Sequence, residues 1–181
     1  MLTRRRFITT GGLTLAGLAL PRRSRAADLI EIHMSNNASR VKAWFEPVGL
    51  HITPGQTVRW ILDTDVHSTA AYHPKNAMHS LRIPDQAPPW DSGLMTAKGA
   101  HFDVTFTVEG VYDYFCAPHE MAGMVGRLVV GRPGGPGAQA IDNAAYARKG
   151  WRAIPPAAQA AFPSVDAIVA KGIVRPAGIT G

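Results

Sequence analysis

The stretch Cys116-Ala117-Pro118-His119-Glu120-Met121-Ala122-Gly123-Met124 decides the fold, because it sets a thiol, an imidazole and a thioether within nine residues between two strand-like runs. Ahead of it Val104, Phe106 and Val108 alternate with Thr105 and Thr107, and Gly110 turns the chain into Val111-Tyr112-Asp113-Tyr114-Phe115. Behind it runs Val125-Gly126-Arg127-Leu128-Val129-Val130. Side chains alternate along a strand, so Tyr112, Tyr114 and Cys116 share one face, and Met124, Leu128 and Val130 share another. The stretch reads as the tight loop of a hairpin whose two sulfurs lean toward a single interior.

Soft sulfur ligands beside imidazole select copper, and a trigonal His, His, Cys set with a weak axial Met is the arrangement of an electron-transfer copper site. The loop carries three of those four groups in Cys116, His119 and Met124. A lone cysteine is most often a small buried hydrophobe, and a methionine is most often core filler. The joint spacing, with Pro118 inside the loop and Gly123 and Gly126 at its exit, is what points to a metal. Cys-x2-His-x4-Met between strands resembles the copper loop of the cupredoxins, particularly plastocyanin, pseudoazurin and halocyanin. It departs from amicyanin, where the axial Met sits two residues nearer the His.

Upstream, Leu29-Ile30-Glu31-Ile32-His33-Met34 and Val41-Lys42-Ala43-Trp44-Phe45 read as the first strands. Pro54-Gly55 fits the central pair of a type II turn. Val58, Trp60 and Leu62 alternate after it, which sends the Trp60 ring inward. This Phe45-x-Pro47 and Pro54-Gly55-x-x-Val58-x-Trp60 run also looks like a cupredoxin, and the family sets its first histidine ligand shortly after that strand. In Asp65-Val66-His67-Ser68-Thr69-Ala70-Ala71-Tyr72-His73-Pro74, His67 fits best. His73 is the competitor, farther from Trp60 and directly before Pro74, where a turn begins. His33, His51, His79 and His101 are read as surface residues or makers of ordinary hydrogen bonds.

The resemblance covers about residues 28–131 and implies an all-β, Greek-key β-sandwich with a short helical C-terminal extension. It implies one copper ion per chain, with Cys116 as thiolate, His67 and His119 as imidazoles and Met124 as the long axial contact. Ser68, after the first histidine, stands to give a backbone N–H to the sulfur, whereas Pro118 has none to give. The implied role is single-electron shuttling between larger redox proteins outside the cytoplasm. A thiol enzyme using Cys116 with His119 as base lacks an evident substrate site. A multicopper enzyme needs further histidine clusters. An exported copper carrier is the alternative, though it favours a site open to exchange.

The formal charge of +6 suggests a nucleic-acid or membrane partner. However, six of the 19 basic residues are arginines within residues 1–26, and the remaining 13 balance the 13 acidic ones. Residues 1–26 read as a cleavable export segment: Thr3-Arg4-Arg5-Arg6-Phe7-Ile8 resembles a twin-arginine signal, an apolar run follows to Leu20, and Ser24-Arg25-Ala26 offers a cleavage site. That run is shorter than the roughly 18 to 20 apolar residues of a membrane span. The expected mature protein is therefore periplasmic or otherwise extracytoplasmic, monomeric, not inserted in a membrane and not bound to nucleic acid. A single cysteine forms no disulfide within the chain, so metal ligation is what would protect the exported thiol.

Residues 27–132 form the expected cupredoxin domain and 133–181 a Gly/Pro linker with a helical tail. Four prolines between 74 and 100, three of them within 84–89, exclude a central strand there; the stretch reads as a partner-binding loop or as a cover over one sandwich edge, and Trp90, Leu94 and Met95 offer apolar anchors for the cover. Pro133-Gly134-Gly135-Pro136-Gly137 reads as the linker. Helical spacing predicts a helix over Ala138 to Lys149, stopped at Gly150, and Ser164 caps a second through Lys171, ended by Gly172.

Overall fold

The computed structural model describes residues 29–39 and 41–178. The export segment expected at 1–26 lies outside the described residues. Nine strands and three short helices occupy the rest. β1 (Leu29–Asn36), β2 (Ala43–Glu46), β4 (Thr57–Leu62) and β6 (His101–Thr105) form a four-stranded sheet in the order β2-β1-β4-β6. β5 (Ala70–Ala71), β7 (Gly110–Phe115), β8 (Val125–Val130), β3 (Gly49–Ile52) and β9 (Ile173–Val174) form the second sheet, in the order β5-β7-β8-β3-β9. β1 runs parallel to β4 and β3 parallel to β8, while the other pairs are antiparallel.

Strand parity carries the core. Ile32 and Met34 of β1, Val58, Trp60 and Leu62 of β4, Tyr112 and Tyr114 of β7 and Leu128 and Val130 of β8 all enter one buried cluster, which also takes in Cys116 and Met124. The two sulfurs do face one interior. Each such aliphatic or aromatic side chain, fully buried, contributes about 1.5–3 kcal/mol. Trp60 is central, with the rings of Tyr114 and Trp90 at centroid distances of 5.4 and 5.6 Å. The turn before β4 closes as expected, with Gln56 N–H donating to the Thr53 carbonyl across Pro54-Gly55 at 3.2 Å.

The long connection from 74 to 100 covers the core through Trp90 and Met95, both buried, but not through Leu94, which is 64 % exposed. Its backbone touches the sandwich in isolated bridges, Ala70 with Asp91 and His67 with Met95. Prolines keep it from pairing further.

All six residues of β7 and all six of β8 are buried, which a sandwich with one wet face would not produce. The tail is the reason. Ile154 and Ala158 close over Ala70, Tyr72, Phe115 and Val125 on the outer face, and Ile168 closes over Val111 and Val129. The stretch read as a linker also lies against the sheet, since a Cβ at Gly137 would stand 2.5 Å from the Val111 carbonyl oxygen and 2.6 Å from that of Arg82. The first tail helix, α1 (Asn143–Arg148), begins later than helical spacing predicts, because Asp142 caps it by accepting from Ala145 N–H at 2.9 Å. α2 (Pro156–Ala161), with a proline in its first turn, is an element the spacing does not announce. α3 (Val165–Lys171) has the expected Ser164 cap and Gly172 stop.

Candidate metal centre

β7 delivers Cys116 directly after Phe115, and the loop closes where Cys116 N–H donates to the Met124 carbonyl at 3.0 Å. Within it His119 N–H donates to the Cys116 carbonyl and Met124 N–H to the His119 carbonyl, at 3.0 and 3.1 Å. A 3-10 turn over Glu120–Ala122 then ends at Gly123, whose φ of 87° is one that L side chains rarely adopt. Three turn-closing bonds in nine residues leave this loop little freedom.

The Nδ1 atoms of His67 and His119 stand 3.6 and 3.5 Å from Cys116 Sγ. Their rings lie 4.9 Å apart between centroids. Among the described residues His67, Cys116 and His119 form the one group of three or more His, Cys or acidic side chains able to surround a metal, with ligand atoms within 4.8 Å of one another. Cys116, His67 and Met124 are fully buried, and His119 is half-buried. His67 is brought in by a pair of backbone bonds with Met95, at 3.2 and 2.8 Å. Its Nε2 is buried without a hydrogen-bond partner. His73 is not in this group; its Nδ1 accepts from the Lys75 N–H at 3.1 Å.

Burial dominates the electrostatics. It pushes the Cys116 thiol up to about 11, against a smaller opposing pull from the Ser68 N–H. It lowers the His67 imidazole to about 4, with the neighbouring His119 adding to the effect. Two imidazoles and one thiol, closely spaced, with the Met124 thioether buried in the same cluster as Cys116, suit a soft or borderline ion such as copper. The residues present fit that group.

The other histidines behave in part as expected. His33 bonds Asp63 at 3.0 Å and His51 the Gly131 carbonyl at 2.9 Å, and His101 is exposed. His79 is buried and faces Glu120, itself the residue after His119. Sequence reasoning missed this pair, since a loop glutamate and a histidine 41 positions away carry no joint spacing signal.

The sandwich, with its sulfur-bearing hairpin loop, is a cupredoxin fold. A solved pseudoazurin from Sinorhizobium meliltoi matches it with a TM-score of 0.52 at 26 % identity, covering 80 % of this chain and 98 % of that one. Residues 32–131 match the family described as copper binding proteins, plastocyanin/azurin family, and the chain belongs to that family. A pseudoazurin of Methylorubrum extorquens is 31 % identical over 107 residues, which are 59 % of this chain and 64 % of the relative. The match therefore spans a little under two thirds of that relative's length. The chloroplastic plastocyanin of Chlamydomonas reinhardtii is 28 % identical over 125 residues, 69 % of this chain and 81 % of the relative.

Proposed function

We propose that the mature chain carries single electrons between larger redox proteins outside the cytoplasm, on one copper ion that Cys116, His67, His119 and Met124 would hold. The observation that carries this reading is the convergence of two imidazole Nδ1 atoms on one buried sulfur. When bound, copper would supply one-electron chemistry there, between its cuprous and cupric states. The chain's own part is to hold the donors still. Three of the four proposed ligand side chains are fully buried, in an interior packed as densely as an organic crystal. His119 alone reaches toward solvent, beside exposed Ala117, Pro118, Met121 and Ala122. An apolar surround of that kind suits a small contact that forms and releases quickly.

A carrier that hands copper on is served less well by donors this enclosed. A thiol nucleophile is disfavoured too, since burial raises the Cys116 thiol where an activated cysteine is lowered. Cleavage after residue 26, with residues 27–132 as the copper domain and 133–181 as its extension, completes the proposal. The 13 to 13 balance of charge beyond residue 26 speaks against a nucleic-acid partner, and the mature chain is proposed as a monomer. No helix among the described residues is long and apolar enough to cross a membrane.

The test is the visible spectrum of the copper-loaded protein. A thiolate-to-copper charge-transfer band is expected in the wild type and in His73→Ala, and none in His67→Ala. A band lost only in His73→Ala moves the ligand to that residue, and a wild type with no band ends the reading.

A further inference from the structure

Between Cys116 and Met124 the loop is buried at one residue only. Ala117, Pro118, Met121 and Ala122 are exposed, His119 and Gly123 are intermediate, and Glu120 is 4 % exposed. A glutamate is almost never fully buried unless paired, and both oxygens of this one have partners. Oε1 accepts from the Tyr72 hydroxyl at 2.8 Å, and Oε2 faces His79 Nε2 at 3.0 Å. Burial, with the Glu120 carboxylate adding to it, pushes the Tyr72 phenol well up and keeps its hydroxyl a donor.

Both partners are themselves held. His79 Nδ1 lies 2.5 Å from the Asn76 carbonyl oxygen, and its ring stacks on Phe115 with centroids 4.1 Å apart. Tyr72, which continues from β5, packs on Phe115 at 4.8 Å and on Phe162 of the tail at 5.8 Å. Phe115 is the residue before Cys116, so the clamp is rooted on the strand end that supplies the sulfur.

An apolar side chain at position 120 would fill the space but add no directional bond to those that close the turn. Two hydrogen bonds to a carboxylate fix direction as well as depth. The turn needs that help: His119, at its start, makes no side-chain cap and sits at φ −121°, ψ 9°, near the sparsely populated bridge between the α and β regions.

We propose that Glu120, clamped by Tyr72 and His79, is the positioning residue of the centre, holding the backbone at His119 so that its imidazole stays aimed at Cys116 Sγ with or without the metal. This rests on the ligand set proposed above. The side-chain hydrogen bonds of Glu120 go to Tyr72 and His79, and it acts on the centre through the peptide bond it shares with His119.

The test has a metal-free arm and a copper arm. In the metal-free protein, NMR of labelled histidines reads the His119 ring directly. Glu120→Ala is expected to broaden and average the His119 signals while those of His67 stay sharp, and Glu120→Gln, whose oxygen still accepts from Tyr72 and whose amide can donate to His79 Nε2, is expected to restore order. In the copper arm Glu120→Ala weakens binding by about 10-fold, the low end for outer-shell partners of a metal site, and Glu120→Gln recovers most of it. Circular dichroism and thermal melting establish that each variant is folded. Should Glu120→Ala not fold, Tyr72→Phe removes one bond without opening a cavity and has to loosen the His119 ring in the same sense. Sharp His119 signals in folded Glu120→Ala, or in Tyr72→Phe, overturn the proposal. A wild type that fails to take copper while the metal-free series behaves as expected defeats the ligand set and leaves the clamp standing.

Discussion

The backbone N–H of Ser68 points at Cys116 Sγ from 3.3 Å, and the Ser68 hydroxyl accepts from the Ala117 N–H at 2.8 Å, so one residue grips both the thiol and the backbone just beyond it. The N–H favours a negative sulfur, but burial outweighs it and pushes the metal-free thiol up to about 11. His67 lies in the opposite condition, lowered to about 4. At pH 8 the thiol therefore holds its proton and His67 holds no second one. Because a metal binds the thiolate, loading copper at that pH should release about one proton per ion. Calorimetry in buffers of different ionisation enthalpy counts it, and no release would exclude Cys116 as a ligand.

The two loop methionines separate cleanly by burial. Met124 is fully buried in the cluster that holds Cys116, while Met121 is 72 % exposed. A long axial ligand contributes little to holding copper but helps set its potential. Met124→Leu removes a weak donor that favours the cupric state, so it should raise the potential and keep the metal. Met121→Leu should shift it much less. Equal shifts by voltammetry would mean that Met124 is not the axial residue.

Asp113, in the middle of β7, is fully buried between Arg82 and Arg127. It accepts from Arg82 Nε at 2.9 Å and from Arg127 Nε and Nη2 at 2.6 and 3.0 Å. The same guanidiniums go on to the tail, Arg82 to the Gly137 and Gln139 carbonyls and Arg127 to that of Pro163, with Arg127 also 4.9 Å from the Phe162 ring centroid. One carboxylate thus ties the extension to the sandwich. Asp113→Ala strands two buried cations and should cost about 3–5 kcal/mol in denaturant titration. Amides between 137 and 163 should lose hydrogen-exchange protection first. A loss below about 1 kcal/mol, the scale of an exposed pair, would show that the carbonyls alone suffice.

What was legible in the sequence had short range. The alternation about Trp60 and Tyr114 and the spacing of Cys116, His119 and Met124 are local patterns with fixed geometric meaning: the two rings enter the core, His119 Nδ1 stands 3.5 Å from Cys116 Sγ, and Met124 shares the buried cluster of Cys116. His67 is legible through family likeness rather than spacing, because 49 residues separate it from Cys116. Contacts formed by the tail were not legible. α2 has few apolar side chains to give it a period, and β9 is two residues long. The burial of both faces of β7 and β8 depends on where those pieces dock. Glu120 reads as a solvated loop charge unless Tyr72 and His79 are known to stand beneath it.

The route by which the electron leaves gives the last prediction. With Glu120 turned inward, the outer face of the loop is Ala117, Pro118, Met121 and Ala122 around a half-buried His119, more apolar than the bare sequence suggests. No charged side chain of the loop faces solvent there. Such a surface excludes water briefly and binds without strong pairing, which suits a transient redox contact. Charge enters at longer range, since residues 27–132 carry eleven acidic against eight basic residues and their field can orient a basic partner. Ala122 is exposed and three positions from His119, so Ala122→Lys puts a hydrated ammonium into the contact without touching a donor. Electron exchange with the natural partner should slow several-fold, while the visible spectrum stays that of the wild type. Docking on the connection at Asp85, Gln86 and Pro88, also exposed, predicts no change. Stopped-flow kinetics of the blue, folded Ala122→Lys variant decides between them, and an unchanged rate removes His119 as the exit.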